Sequence, residues 1–213
     1  MGLGRWVNSS YHLFSDCKMF QLSLGVGFAE LVKWRINEWR KKGKQLLKIM
    51  VAGKVGAGKS ALVNGLIGRE VAVEGDSAAS VTTTVNQYKK VINGVAVIIF
   101  DTPGLFDPRT DCDRETLQEI CQKTKGTIDL LLICMKMTER LEQSHVLLIE
   151  RLKLIFRTDA VWKNTLLVLT FANEVHLPRK RHQSYEPDDE EPKQQQLIDH
   201  FEEKLGEFNM LPL

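Results

Sequence analysis

Apolar runs and amphipathic stretches alternate along most of this chain. Residues 46–52, 87–92, 95–101, 128–135 and 165–172 have the length and apolar content of strands. The run Val95-Ala96-Val97-Ile98-Ile99-Phe100 is apolar enough to be buried on both faces of a sheet. Asn93-Gly94 is a hairpin turn, which places one antiparallel strand beside otherwise parallel ones. Helical patterns follow at 61–67, 114–125 and 141–156, the last with Leu141, Leu148, Leu152 and Ile155 on one stripe. A final helix at 194–208 carries Leu197, Ile198, Phe201, Leu205 and Phe208 on its apolar face. The predicted class is α/β, a three-layer, mostly parallel sheet with one antiparallel strand. No β-rich run follows the final helix, so a terminal strand and helix of such a domain are expected to be missing. Strand 165–172 is then expected to be a sheet edge, and the chain to be marginally stable alone.

Residues 1–43 read as a helical extension, and residues 44–213 as the main domain, incomplete at its C-terminus. In the extension Phe28, Leu31, Val32, Ile36 and Trp39 recur at helical spacing, with Lys33, Arg35, Arg40, Lys41 and Lys42 on the other face. Such a helix either packs on its own domain or lies on a membrane surface or partner. Glu30 and Glu38 dilute its positive charge and favour packing. Residues 177–193 read as a loop with a basic cluster, Arg179-Lys180-Arg181, and an acidic one, Asp188-Asp189-Glu190-Glu191.

Composition narrows the setting. A chain of 213 residues with 43% hydrophobic content can build one domain with a substantial core. Net charge +2 gives no basis for nucleic-acid binding. Cys17, Cys112, Cys121 and Cys134 have no metal or redox spacing, which suits a reducing, cytoplasmic setting. There is no uninterrupted apolar stretch of membrane-spanning length, so membrane contact is expected to be peripheral at most, through the N-terminal helix.

The candidate chemistry begins at the end of the first strand of the main domain. Gly53-Lys54-Val55-Gly56-Ala57-Gly58-Lys59-Ser60 is a complete phosphate-binding loop between a strand and a helix. Its backbone N–H groups and the helix N-terminus attract phosphate oxygens. Lys59 is expected to reach the β- and γ-phosphates, and the Ser60 hydroxyl to ligate Mg²⁺. Gly53, Val55, Gly56, Ala57, Gly58 and Ala61 complete the nucleotide contacts. Asp101-Thr102-Pro103-Gly104 closes another buried strand, which places Asp101 at the ligand edge as a second Mg²⁺ group. Gly104, lacking a side chain, lets its N–H approach a γ-phosphate. The pair of motifs favours a GTPase over a small-molecule kinase.

Between the motifs, Val81-Thr82-Thr83-Thr84-Val85 offers three threonines for the Mg²⁺ shell that a γ-phosphate completes. Thr82 is favoured, and Lys59 and Thr82 are the candidate catalytic residues.

These residues, with Ala61, Asn64, Gly68, Ser80-Val81-Thr82 and Asp101-Thr102-Pro103-Gly104-Leu105-Phe106, resemble the immunity-associated (GIMAP) GTPases. The related Toc GTPases and, more distantly, the septins share the outline. The resemblance covers roughly residues 48–175 and implies a P-loop GTPase domain that uses GTP or GDP with Mg²⁺. It also implies a homodimer, or pairing with a related GTPase, through the switch face. Arg140 is either a trans-acting cation across such a dimer or an exposed helix-entry side chain.

Two departures matter. The base-reading motif is Thr170-Phe171-Ala172-Asn173-Glu174. Phe171 or Ala172 stands where a lysine stem covers the base in the usual pattern. Asn173 stands where an aspartate reads guanine, and Glu174 is the nearest carboxylate. Leu105 occupies the place of the water-orienting glutamine in Ras-like enzymes, so slow hydrolysis is expected, and Val55 crowds the γ-phosphate approach. The leading expectation is a guanine-nucleotide switch with slow turnover. The alternatives are an interaction scaffold with negligible hydrolysis and an ATP-using P-loop protein.

Overall fold

The computed structural model describes residues 22–24, 27–73, 84–105, 113–136, 138–139 and 142–171. The strands are β1 (Leu22–Leu24), β2 (Leu46–Gly53), β3 (Asn86–Ile92), β4 (Val95–Asp101), β5 (Leu130–Lys136) and β6 (Thr165–Thr170). The helices are α1 (Gly27–Lys41), α2 (Lys59–Ile67), α3 (Asp113–Thr124), α4 (Gln143–Ile155) and the short α5 (Asp159–Trp162). The strands form one sheet in the order β1-β6-β5-β2-β4-β3. Only the β3–β4 pair is antiparallel, joined across Asn93 and Gly94, both at positive φ. This is the mixed, mostly parallel sheet the sequence predicts. The predicted helix 194–208 and loop 177–193 lie outside the described residues.

Strand periodicity divides the core into two layers. Leu47, Ile49 and Val51 of β2, Leu130 and Leu132 of β5, and Leu166 and Val168 of β6 face one way. There they meet Val32 and Ile36 of α1 and Val63, Leu66 and Ile67 of α2. Met50, Leu131, Ile133, Leu167 and Leu169 face the other way, onto Ile120 of α3, Leu148 and Leu152 of α4, and Val161 and Trp162 of α5. Both faces of the central strands are thus covered, which is why they read as continuous apolar runs. Leu154 on α4 is exposed, so that helix is apolar beyond its buried stripe.

The expected sheet edge at residues 165–172 is corrected by β1. Leu22, Ser23 and Leu24 pair in parallel with Leu167, Val168 and Leu169. β6 therefore has strand neighbours on both sides. Along Leu167–Leu169 the backbone that an edge strand would leave open is paired, and the expectation of marginal stability loses its ground. The strand comes from the N-terminal segment, which had seemed only an extension.

Helix α1 is also part of the core. Val32 and Ile36 are fully buried, whereas Lys33, Arg40, Lys41 and Lys42 are exposed. Arg40 Nη1 donates to Asn93 O at 2.8 Å, which ties the helix to the β3–β4 turn. Ile36→Ala is expected to cost roughly 2–5 kcal/mol, the usual range for deleting a buried isoleucine to alanine. Equilibrium denaturation measures this; a helix that only rests on the surface would lose well under 1 kcal/mol.

Candidate nucleotide site at the carboxyl ends of β2 and β4

β2 lies between β4 and β5, and the chain leaves it through a tight loop into α2. That crevice, outside the carboxyl ends of parallel strands, is where open α/β sheets bind ligands. Residue spacing explains the loop's path. Gly53 abuts β5 so closely that a Cβ there would lie 2.5 Å from Cys134 O. Gly56 and Gly58 have φ of 75° and 76°, in the left-handed region that glycine adopts without strain. Gly58 caps the N-terminus of α2, leaving that helix's first N–H groups directed at the crevice.

The charged groups converge beneath this loop. Lys59 is 7% exposed, and its Nζ donates to Lys54 O at 2.7 Å. Burial lowers the Lys59 pKa, while Cys134 and Asp101 act the other way. Asp101 is fully buried at the tip of β4, opposite Val51 in register. Ser60 Oγ donates to Asp101 Oδ2 at 3.2 Å, and the buried Asp101 Oδ1 has no hydrogen-bond partner. Burial raises the Asp101 pKa against the opposing effects of Lys59 and the Ser60 hydroxyl. A buried carboxylate oxygen without a donor, next to a serine hydroxyl, suits a hard divalent cation with oxygen ligands. The residues present therefore fit Mg²⁺. Among the described residues there is no His/Cys/Asp/Glu cluster that could hold a metal by itself. That is expected where phosphate supplies part of the shell.

Behind Asp101 the chain is held in place by its own groups. Thr102 Oγ1 donates to Val51 O at 2.8 Å, and Leu105 N donates to Gly53 O at 3.2 Å. Gly104 packs on the phosphate loop: a Cβ on it would fall 2.3 Å from Val55 Cγ2 and 2.7 Å from Val55 N. Leu105 is 1% exposed and belongs to the core layer with Phe100 and Ile120.

The sequence assigns no supporting role to Asn64, Gly68 or Thr170. Asn64, buried on α2, accepts from Val71 N and Ala72 N at 2.9 and 2.8 Å and donates to Ala72 O at 2.9 Å. It fixes the chain leaving α2, while Gly68 at φ 75° ends that helix, its N–H donating to Asn64 O. Thr170 Oγ1 lies 3.1 Å from Ala57 O and 3.2 Å from Met135 O, joining the end of β6 to the phosphate loop. Phe171 has φ 58°, and Lys136 Nζ stands 4.3 Å from its ring centroid. Spacing along the chain carries no sign of the Thr170 and Phe171 contacts, because they join residues 35 or more apart in sequence.

The remaining predicted residues divide as follows. Gly53, Val55, Gly56, Ala57, Gly58, Lys59, Ser60, Ala61, Asp101 and Gly104 are all placed around the crevice or on the helix leaving it. Thr84 is exposed. Thr82, Thr83, Arg140, Asn173 and Glu174 lie outside the described residues.

Comparison with known proteins follows the same outline. The sequence profile of the AIG1 family matches residues 47–211. The translocase of chloroplast 34 homolog of Chlamydomonas reinhardtii is 30% identical over 155 residues, covering 67% of this chain and 39% of that protein. The chain thus spans well under half the length of that relative. Toc33 from Arabidopsis thaliana, solved in complex with GDP and Mg²⁺, superposes with a TM-score of 0.60 at 24% identity. The match covers 83% of this chain and 68% of that one. A structure of the chloroplast translocon components atToc33 and psToc159, for which dimerization is important for GTPase activity, gives a TM-score of 0.61 at 23% identity. It covers 87% of this chain and 74% of that one.

Proposed function

The chain belongs to the AIG1 family, and from that premise we propose that it is a guanine-nucleotide switch that binds GTP or GDP with Mg²⁺ and hydrolyses GTP slowly. The observation that carries the reading is the convergence of buried Lys59, Ser60 and Asp101 under a glycine loop at a helix N-terminus. In this reading the loop N–H groups and Lys59 hold the β- and γ-phosphates. Ser60 and Asp101, with Thr82, hold Mg²⁺, which when bound neutralises phosphate charge. Gly104 offers its N–H to the γ-phosphate, pressed against Val55. Thr170 keeps the base end of the loop in register. Phe171, held beside Lys136, takes the place of the lysine stem over the base, and Asn173 and Glu174 read its edge. The domain comprises residues 44–213, with 1–43 supplying a helix and a strand to it.

Slow turnover follows from chemistry next to the γ-phosphate site. A leucine has no group to orient water, and Leu105 is turned into the core. Self-association is supported by the likeness to chloroplast translocon GTPases whose activity depends on dimerization. No helix among the described residues is long and apolar enough to cross a membrane. The exposed basic side of α1 favours peripheral contact, in a reducing compartment where Cys121 and Cys134 stay free thiols.

Titration with GTP, GDP and ATP, with and without Mg²⁺, tests the proposal. Guanine nucleotides are expected to bind at least about tenfold more tightly than ATP, a difference of about 1.4 kcal/mol. Equal affinity for ATP would favour the ATP-using alternative. Single-turnover hydrolysis by dilute protein is expected near the intrinsic Ras rate, on the order of 10⁻⁴ per second. The rate is expected to rise with protein concentration; loss of that rise in Arg140→Ala would support a trans-acting cation, and its retention an exposed helix-entry arginine. A concentration-independent rate would argue against dimer activation.

A further inference from the structure

We propose that Lys54 is a positioning residue that ties the phosphate loop to the β5–α4 corner, so that nucleotide on the loop orders the surface around Glu139 and Glu142; this rests on the nucleotide-binding reading above. Lys54 faces two ways. Its carbonyl accepts the hydrogen bond from Lys59 Nζ at 2.7 Å, so its backbone is fixed to the phosphate-binding cation. Its side chain leaves the loop in the other direction. Lys54 Nζ lies 3.5 Å from Glu142 Oε2 and 3.7 Å from Glu139 Oε2, and is only 19% exposed.

The two carboxylates belong to a corner with its own internal order. Glu139 N donates to Lys136 O at 3.1 Å, continuing from β5. Glu142 caps α4 in a reciprocal arrangement, its side chain accepting from the His145 backbone while Glu142 N donates to His145 Nδ1 at 3.1 Å. His145 Nε2 lies 3.9 Å from Glu139 Oε2, and the ring is 3% exposed. A buried imidazole that accepts through Nδ1 is neutral, and burial lowers its pKa in the same sense. The corner therefore presents two carboxylates with Lys54 as the cation between them. When Lys59 and the loop close on phosphate, Lys54 loses freedom, and the carboxylates paired with it lose freedom too. Any partner docking on the β5–α4 corner then meets a surface whose order depends on nucleotide.

Hydrogen–deuterium exchange on the full chain, with and without GDP and Mg²⁺, tests the coupling at the amides of Glu139, Glu142, Ser144 and His145. Wild type is expected to slow at these amides by at least about fivefold when GDP binds, as local opening becomes costlier. Glu139→Gln/Glu142→Gln should bind GDP within about twofold of wild type yet lose that slowing, because the fixed charges are gone. Lys54→Arg should keep it, and Lys54→Met should abolish it. Salt at about 0.5 M should shrink the wild-type response, since these pairs are partly exposed. If wild type binds GDP and the double variant keeps full protection at the corner, the coupling is wrong while the nucleotide reading stands. If wild type binds no guanine nucleotide, both fall together.

Discussion

Lys59→Ala is expected to remove detectable nucleotide binding, with affinity for GTP and GDP falling by at least about 100-fold. That factor is about 2.7 kcal/mol, within the range for losing charge-assisted hydrogen bonds to phosphate. The buried position of Lys59 makes the loss large. Its ammonium is almost wholly withdrawn from water and held by the Lys54 carbonyl, so its charge acts on phosphate with little solvent screening. No other described lysine enters the crevice in this way: Lys54 turns to Glu139 and Glu142, and Lys136 stands over the Phe171 ring. The fold should survive, because burial already opposes the Lys59 charge and alanine removes that cost. Calorimetric titration of a variant with wild-type circular dichroism is the measurement. Unchanged affinity in a folded variant would overturn the phosphate-site assignment.

Leu105→Gln is the second large effect, and the expected result is loss of stability without gain of activity. A glutamine here restores the residue type that orients water in Ras-like enzymes, so chain position alone predicts faster hydrolysis. The surroundings predict otherwise. Leu105 is 1% exposed among Phe100, Ile120 and their neighbours, and its own N–H is held by Gly53 O at 3.2 Å. An amide placed there loses its water hydrogen bonds in an apolar layer, at a cost of roughly 2–4 kcal/mol. Denaturant titration should show the unfolding free energy fall by that amount, while single-turnover hydrolysis stays within about threefold of wild type. A tenfold faster rate in the variant would mean that residue 105 turns toward the γ-phosphate when nucleotide is bound.

The two variants separate what chain order reveals from what packing decides. The strand–loop–helix around Lys59 was legible because the requirement is local. A phosphate loop needs its glycines, lysine and serine at fixed spacing, and short-range geometry fixes their relative placement. The buried strands were largely legible, since two covered faces demand apolar residues: β5 and β6 are buried almost throughout, whereas Lys48 interrupts β2 and Ala96 leaves one face of β4 open at its start. The Asn93-Gly94 turn fixed the antiparallel hairpin for the same reason: both residues must take positive φ.

What tertiary structure alone decided concerns residues with weak local signals and distant partners. Leu22–Leu24 is too short to stand out as a strand, and only the open side of β6 gives it a place. Helix α1 carries a basic face suited to a membrane, but the fate of its apolar face is settled by the sheet that buries Val32 and Ile36. Lys54 and Thr170 lie within recognisable motifs, but their contacts with Glu139 and Ala57 join residues that only the fold brings near. Leu105 follows a recognisable motif, yet which way its side chain points was set by the hydrophobic layer beside it. Local spacing determines backbone chemistry that a few neighbouring residues can complete. Burial, pairing across the sheet and side-chain direction depend on surfaces that exist only once distant segments have packed.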